Sequence, residues 1–264
     1  MTESSKKILF IGAGRMAQAI IAGLNKTDMT IVASNNGDAK RLEEVEQKFG
    51  VMTTDSWKEE IEDADMIVLA MPPEAHESVL KEVELFVKDQ FIVTLAAGID
   101  PTYLEAKLPE GTPVAWVMPN PAASLGKSVS LYTLGKHVGE HHEKMLEALL
   151  DSIGSSEKVT EDQVHALTPI TGSGSAFIYR MANSLVTSAI DTGVTEEKAR
   201  KLVADMIHGA AAMLQTGEPP KKLIDQVASP GGVTAAGLEV MDEGQFDQMM
   251  QDVVTACHIR ARNN

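Results

Sequence analysis

The stretch KILFIGAGRMAQAIIAGL, residues 7–24, decides the fold. Ile8, Leu9, Phe10 and Ile11 form an apolar run without polar alternation, which predicts a strand buried on both faces. Gly12-Ala13-Gly14 then breaks the run, and Met16, Ile20, Ile21 and Leu24 recur at helical spacing. The reading is strand, tight turn, helix. In that context G-x-G-x-x-A is a dinucleotide-binding fingerprint: Gly12 makes the turn, Gly14 lets a pyrophosphate approach the backbone, and Ala17 packs the helix closely on the strand.

The same pattern recurs outward along the chain. TIVAS (30–34) precedes a charged helix at about 38–49, DMIVLAM (65–71) precedes a helix starting near Glu74, and FIVTLAA (91–97) precedes GIDPTYLEAKL. Short apolar runs alternating with helices predict a doubly wound, mostly parallel sheet. After PVAWVMPNP (113–121) and SVSLYTL (128–134) strand signals fade, except around Lys158 and Val159, and from Glu161 the pattern is helical. The expected fold class is therefore α/β: a Rossmann-like domain over residues 1–160, then an all-helical domain over 161–264. Within the latter, 176–192 carries Ile178, Ala182, Leu185, Ala189 and Ile190 on one broad face, and 196–215 does the same with Leu202, Met206, Ala210 and Met213. Neither segment has the polar face of a lone surface helix, so both are expected to be buried between helices or in a subunit interface. A closing helix is predicted over 245–262.

Composition narrows the function. The 264 residues are 44% hydrophobic and carry a formal net charge of -15, which repels nucleic acid and anionic membranes. No apolar run approaches a membrane span, and the run after Lys6-Lys7 breaks on Gly12, Gly14 and Arg15, unlike a secretory signal. Cys257 is the single cysteine, which fits a reducing compartment, and a cytoplasmic protein is expected. HVGEH (137–141) matches a zinc-peptidase pattern, but Gly139 interrupts a helix there, so the stretch is read as solvent-facing and no metal is expected. His76, His165, His208 and His258 are scattered and read as structural or surface residues.

Cofactor choice is read at the end of the second strand, where an acidic residue would select NAD. The chain has Ser34, Asn35 and Asn36 instead, which can donate hydrogen bonds to a 2′-phosphate. NADPH is favoured, with NADH also accommodated. Far downstream, QVASPGGVTAAGLEVM (226–241) places Ser229-Pro230-Gly231-Gly232 before the first turn of a helix, a cradle for a small anion. TGSGSAF (171–177) lacks a nucleophile elbow and reads as a helix start that admits a close neighbour.

With GAGRMA, AAG (96–98), MPNP (118–121), TGSGSAF and above all LIDQVASPGGVTAAGLEVMDEGQF (223–246), the sequence resembles pyrroline-5-carboxylate reductase, the last enzyme of proline synthesis. The resemblance runs from about Lys7 to Arg262. It implies a Rossmann domain followed by a helical domain that interlocks in a homodimer, sometimes assembled into rings of dimers. It also implies that Gly12, Gly14, Arg15 and Met16 face the pyrophosphate, that Ser34 and Asn36, beside Asn35, meet the 2′-phosphate, and that Ala70, Met71, Ala96, Ala97 and Gly98 line the ribose and nicotinamide. Asn120 joins this cofactor set. Ser229, Gly231, Gly232, Val233 and Thr234 would hold the substrate, with Thr234 the candidate partner of the imine nitrogen.

Three departures from the family pattern touch contacts within the pocket. Pro72 stands where a lysine is common, Asn120-Pro121-Ala122 replaces Asn-Thr-Pro, and Ser175-Ala176-Phe177 replaces Pro-Ala-Tyr. Two rival readings are a reductase of a related cyclic imine or β-hydroxy acid, and a non-catalytic NADP sensor. The first is disfavoured because the 176–192 helix lacks a lysine, the second because the SPGGVT block is intact.

Overall fold

The computed structural model describes residues 5–262. The first strand, β1 (Lys7–Ile11), runs into helix α1 (Arg15–Leu24) through the glycine turn. Next come β2 (Thr30–Ser34), α2 (Ala39–Phe49), β3 (Met52–Thr54), β4 (Met66–Leu69), α3 (Pro73–Val83), β5 (Phe91–Thr94), α4 (Pro101–Glu105), β6 (Val114–Met118), β7 (Ser128–Leu134), α5 (Glu140–Ile153) and β8 (Gly154–Lys158). The strands form one sheet in the order β3-β2-β1-β4-β5-β6-β7-β8. All neighbouring pairs are parallel except β6 and β7.

The unbroken apolar strands have a direct cause: both sheet faces are covered. Ile8 and Phe10 of β1 point into a core with Ile20, Ile21 and Leu24 of α1 and Leu146, Leu149 and Leu150 of α5. Leu9 and Ile11 point the other way, onto Leu80 and Val83 of α3 and Leu104 of α4. With alternate residues serving opposite layers, the central strands β1, β4, β5 and β6 carry nearly unbroken apolar runs.

Three elements depart from the sequence expectations. β3 is only three residues long and half exposed, so it left no apolar run to read. β8 has the sequence GSSEK and is held by pairing with β7; Gly154 begins it at φ +143° and so near the Ser128 backbone that a Cβ would clash. Gly139 does not interrupt a helix; it caps α5, and its N–H donates to His142 Nδ1 at 3.1 Å. HVGEH itself is exposed apart from half-buried Val138, as its solvent-facing reading expects, whereas His142, one residue beyond it, is buried against Phe91, ring centroids 5.2 Å apart. Burial and the neighbouring His141 both lower its pKa. Among the described residues no group of three His, Cys, Asp or Glu side chains is placed to hold a metal, and no helix is long and apolar enough to cross a membrane.

The chain divides into two compact units after Gly172. The first includes α6 (Glu161–Thr171), because Val164 is fully buried in a cluster with Trp116 and Leu131, and the Asn120 side chain donates to the Thr171 carbonyl at 3.2 Å. The second consists of α7 (Gly174–Ile190), α8 (Glu196–Leu214), α9 (Pro220–Val227), α10 (Val233–Glu243) and α11 (Phe246–Arg262). It is all-helical from the TGSGSAF helix start onward. α7, α9 and α10 contain no buried residue, and α8 buries only Ala199 and Val203. The apolar faces of α7 and α8 are thus open in a single chain: Ile178 is 45% exposed and Leu202 52%. Burial between helices of one chain is excluded for these side chains.

The close crossing of α1 and α5 depends on Gly23, where an added Cβ would lie 2.3 Å from the Ser152 carbonyl oxygen. Backbone cannot yield as a flexible side chain does, so Gly23→Ala is expected to cost about 1–3 kcal/mol through overpacking. Urea unfolding of the variant checks this; an unchanged midpoint would show that the helices separate freely.

Candidate functional site

The glycine turn is the best defined part of the site. Gly12 has φ +106°, and a Cβ there would sit 2.9 Å from the Ala70 carbonyl carbon. Its N–H donates to the Ser34 carbonyl and the Ala70 N–H donates to the Ile11 carbonyl, both at 2.9 Å. The turn is therefore pinned to the ends of β2 and β4. Gly14 is the N-cap of α1, no side chain caps the helix, its first turn has no acid, and a Cβ on Gly14 would meet nothing within 4 Å. An uncapped helix start beside open space suits a pyrophosphate, since backbone N–H groups and the helix dipole both favour an anion. Arg15 is exposed there and Met16 half-buried.

From this turn opens a cleft of about 550 Å³. It brings together Gly12, Ser34, Asn35, Asn36 and Met71 of the expected cofactor set. Ser34 is buried, its hydroxyl donating to the Phe10 carbonyl at 3.1 Å, and Asn35 Oδ1 accepts from the Ala13 N–H at 3.3 Å. Asn36 is exposed. The residues present fit the adenosine half of a dinucleotide: glycine backbone, polar groups at the end of β2, and a cleft wall on α3.

Sequence reasoning missed the rest of the lining. Asp55, Ser56, Trp57 and Lys58 follow β3, and Ala75, Ser78, Val79 and Glu82 come from α3. A parallel sheet opens its ligand crevice at the carboxyl ends of its strands, so recognising β3 would have pointed to these residues.

Ala70 is half-buried and Ala96 buried, while Ala97 and Gly98 are exposed on the turn after β5, where Gly98 has φ +78°. Asn120 is buried and its side chain is engaged: Oδ1 accepts from the Ala122 N–H at 3.0 Å while Nδ2 reaches Thr171. These residues lie outside the lining of the cleft.

His76 braces the turn after β5. Its Nδ1 lies 3.1 Å from the Pro72 carbonyl oxygen and its Nε2 3.0 Å from Thr94 Oγ1, which accepts from the Ala96 N–H at 3.2 Å. One neutral tautomer satisfies the whole chain: Nδ1–H donates to the carbonyl, and the threonine hydroxyl donates to Nε2. Burial lowers the His76 pKa, with the Pro72 carbonyl opposing.

In the second unit the Ser229 carbonyl accepts from the Gly232 N–H at 2.9 Å, closing a tight turn. The two glycines have separate tasks. Gly231 has φ +72° with open space around it, whereas Gly232 has φ -84° and a Cβ there would lie 3.0 Å from the Ser229 carbonyl oxygen. Gly232 is also the N-cap of α10, again without a side-chain cap or an acid in the first turn. Val233 is 94% exposed, and Ser229 and Thr234 are exposed.

The comparisons with known proteins agree with these features. Residues 161–264 match the family model for pyrroline-5-carboxylate reductase dimerisation, and residues 7–98 that for NADP oxidoreductase, coenzyme F420-dependent. The chain is 36% identical over 242 residues to pyrroline-5-carboxylate reductase 1 of Bacillus spizizenii, covering 89% of this chain and 82% of that protein. It is 36% identical over 264 residues to pyrroline-5-carboxylate reductase 3 of Danio rerio, covering 97% and 90%. A solved 1-pyrroline-5-carboxylate reductase from Streptococcus pyogenes superposes with a TM-score of 0.90 at 27% identity, covering 98% and 99%.

The His76 brace has a pH signature. Unfolded, the imidazole binds a proton as pH falls through about 6.5, but the folded protein resists until lower pH. The stability contribution is therefore present above about pH 6.5 and is lost as pH falls through the folded value. His76→Gln is expected to flatten the fall in unfolding free energy between about pH 7 and 5, as read by chemical denaturation. An unchanged slope would assign the effect elsewhere.

Proposed function

The chain belongs to the pyrroline-5-carboxylate reductase family, and from that premise we propose how its own residues divide the work. The enzyme reduces 1-pyrroline-5-carboxylate to L-proline, the last step of proline biosynthesis, and uses NAD(P)H. The observation that carries this reading is 36% identity to named pyrroline-5-carboxylate reductases over 89% and 97% of the chain, with an uncapped helix start at α10 inside the matched dimerisation region.

The substrate is a flat ring with a carboxylate and a C=N bond. In a chain of net charge -15, the carboxylate needs a local attraction. The uncapped start of α10 supplies it: the Val233 and Thr234 N–H groups of the first turn and the Ser229 hydroxyl serve the anion, Gly231 gives the turn its left-handed residue, and the Gly232 N–H closes the turn onto the Ser229 carbonyl. The Thr234 hydroxyl accepts from the protonated imine nitrogen and orients the ring. Because the imine is protonated in solution, this is an orienting role and no strong catalytic acid is required.

The cofactor side rests on Gly12, Gly14, Arg15 and Met16 at the pyrophosphate, on Ser34, Asn35 and Asn36 at the adenosine ribose, and on Ala70, Met71, Ala96, Ala97, Gly98 and Asn120 toward the nicotinamide. When bound, the reduced nicotinamide supplies the hydride that the imine carbon accepts. NADPH is the preferred form, since the end of β2 offers no carboxylate to repel a 2′-phosphate. Residues 161–264 form the substrate-binding and dimerisation region in this reading. Open apolar faces on α7 and α8 favour a homodimer, because a contiguous exposed apolar surface is costly in water. A cytoplasmic location fits the single free cysteine.

NADPH oxidation on addition of pyrroline-5-carboxylate, followed by absorbance, tests the activity directly. Thr234→Val keeps the shape and removes one hydrogen bond, so kcat/KM should fall by about 1–3 kcal/mol, or roughly 5- to 150-fold, while cofactor affinity holds. Gly232→Val should be worse, because its Cβ meets the Ser229 carbonyl and its methyls crowd the carboxylate. Unchanged turnover in both variants would move the substrate site away from this turn.

Light scattering at micromolar concentration should report at least a dimer. A stable, active monomer would refute the assignment of the α7 and α8 faces.

A further inference from the structure

The loop after β3, beside the end of β2, brings a cation to the cleft that Ser34, Asn35 and Asn36 lack. Of the three polar residues at the end of β2, Ser34 spends its proton on the Phe10 carbonyl and Asn35 uses its carbonyl oxygen to hold the glycine turn. Neither is charged. Asp55 and Glu82 add negative charge to the lining, so a phosphate ester carrying about two charges at neutral pH would meet net repulsion from neutral donors and carboxylates alone. Among the described residues that line the cleft, Lys58 is the one cation.

Lys58 is poised for such a ligand. Its Nζ is paired with the Glu82 carboxylate of α3 and lies 5.7 Å from the centre of the Trp57 ring. Trp57 is in turn fixed by an edge contact with Phe86, ring centroids 6.3 Å apart and planes at 87°. The ammonium is thus held at the cleft by a carboxylate and an aromatic ring. Both partners of the ion pair are about half exposed (48% and 49%), so the pair is weak and exchangeable.

We propose that Lys58 is the specificity-determining residue for NADPH over NADH, exchanging its contact with Glu82 for the 2′-phosphate while Trp57 positions its stem. This rests on the reading of the cleft as the adenosine site of an NAD(P)H enzyme. A lysine suits the task because the 2′-phosphate is a compact dianion and the ammonium a compact point charge on a long stem. The selectivity is electrostatic and comes from the β3 side of the cleft, with the end of β2 contributing the absence of a repelling carboxylate.

The test uses 2′,5′-ADP and 5′-AMP, which differ only in the 2′-phosphate, with binding to the full-length protein measured by calorimetry. Wild type should bind 2′,5′-ADP more tightly. Lys58→Met keeps the stem and removes the charge; it should weaken 2′,5′-ADP at least about tenfold and leave 5′-AMP unchanged. Lys58→Arg should retain most of the preference. Glu82→Gln, which frees the ammonium, should hold or raise affinity for 2′,5′-ADP and leave 5′-AMP unchanged.

If Lys58→Met discriminates as wild type does, or loses both nucleotides equally, Lys58 is not the selector, and the cofactor reading stands without it. Equal binding of both nucleotides by wild type overturns the preference and leaves an enzyme served by NADH. Binding of neither overturns the cofactor reading and this proposal with it.

Discussion

The approach of the Gly12 backbone to Ala70 is the constraint on which the nucleotide half of the molecule depends. A side chain at Gly12 would strike the backbone at the end of β4, and the turn needs a left-handed conformation that other residues rarely adopt. Because that contact is permitted, β1 can lie between β2 and β4, and the strand order reverses there. Crossovers on either side of β1 leave the sheet in opposite directions, so a crevice forms at the carboxyl ends of these strands. The cleft, the uncapped start of α1 and the loop after β3 all follow from that one reversal.

A second constraint is charge. The protein is strongly acidic, and its ligands are anions as well. Attraction of an anion must therefore be local: the helix starts at Gly14 and Gly232 lack both side-chain caps and first-turn acids, as do those of α7 and α9. Three other long helices are treated differently. Asp38 caps α2, Thr160 caps α6 and Thr195 caps α8, each accepting a backbone N–H. The two glycine-led starts leave their N–H groups for something else to satisfy.

The two units solve burial differently. The sheet with its covering helices satisfies itself, with strands buried on both faces. The helices from Ser173 onward bury almost nothing of their own, and their large apolar side chains remain in contact with water in a single chain. Such a unit gains little stability alone, since the apolar area removed from water is what offsets conformational entropy. The dimerisation model matching this region accords with that arrangement.

Local grammar was legible in the sequence: the β1 turn and helix, the order of strand and helix through α4 with β3 excepted, and the SPGGVT turn ahead of α10. Each is specified by neighbours a few residues apart, through an apolar run, a glycine that must take positive φ, or a helix start. What tertiary structure alone decided was whatever is held by distant partners. β8 is a strand because β7 pairs with it, not because GSSEK favours one. α6 belongs with the sheet because Val164 finds Trp116 and Leu131. His142 is buried because Phe91 packs against it. Gly231 and Gly232 look equivalent in the sequence, yet one supplies a left-handed turn and the other a close approach to Ser229. Trp57 and Lys58 line the cleft only because a three-residue strand places their loop beside Ser34. Pairing and packing act across tens of residues, and no local pattern carries that information.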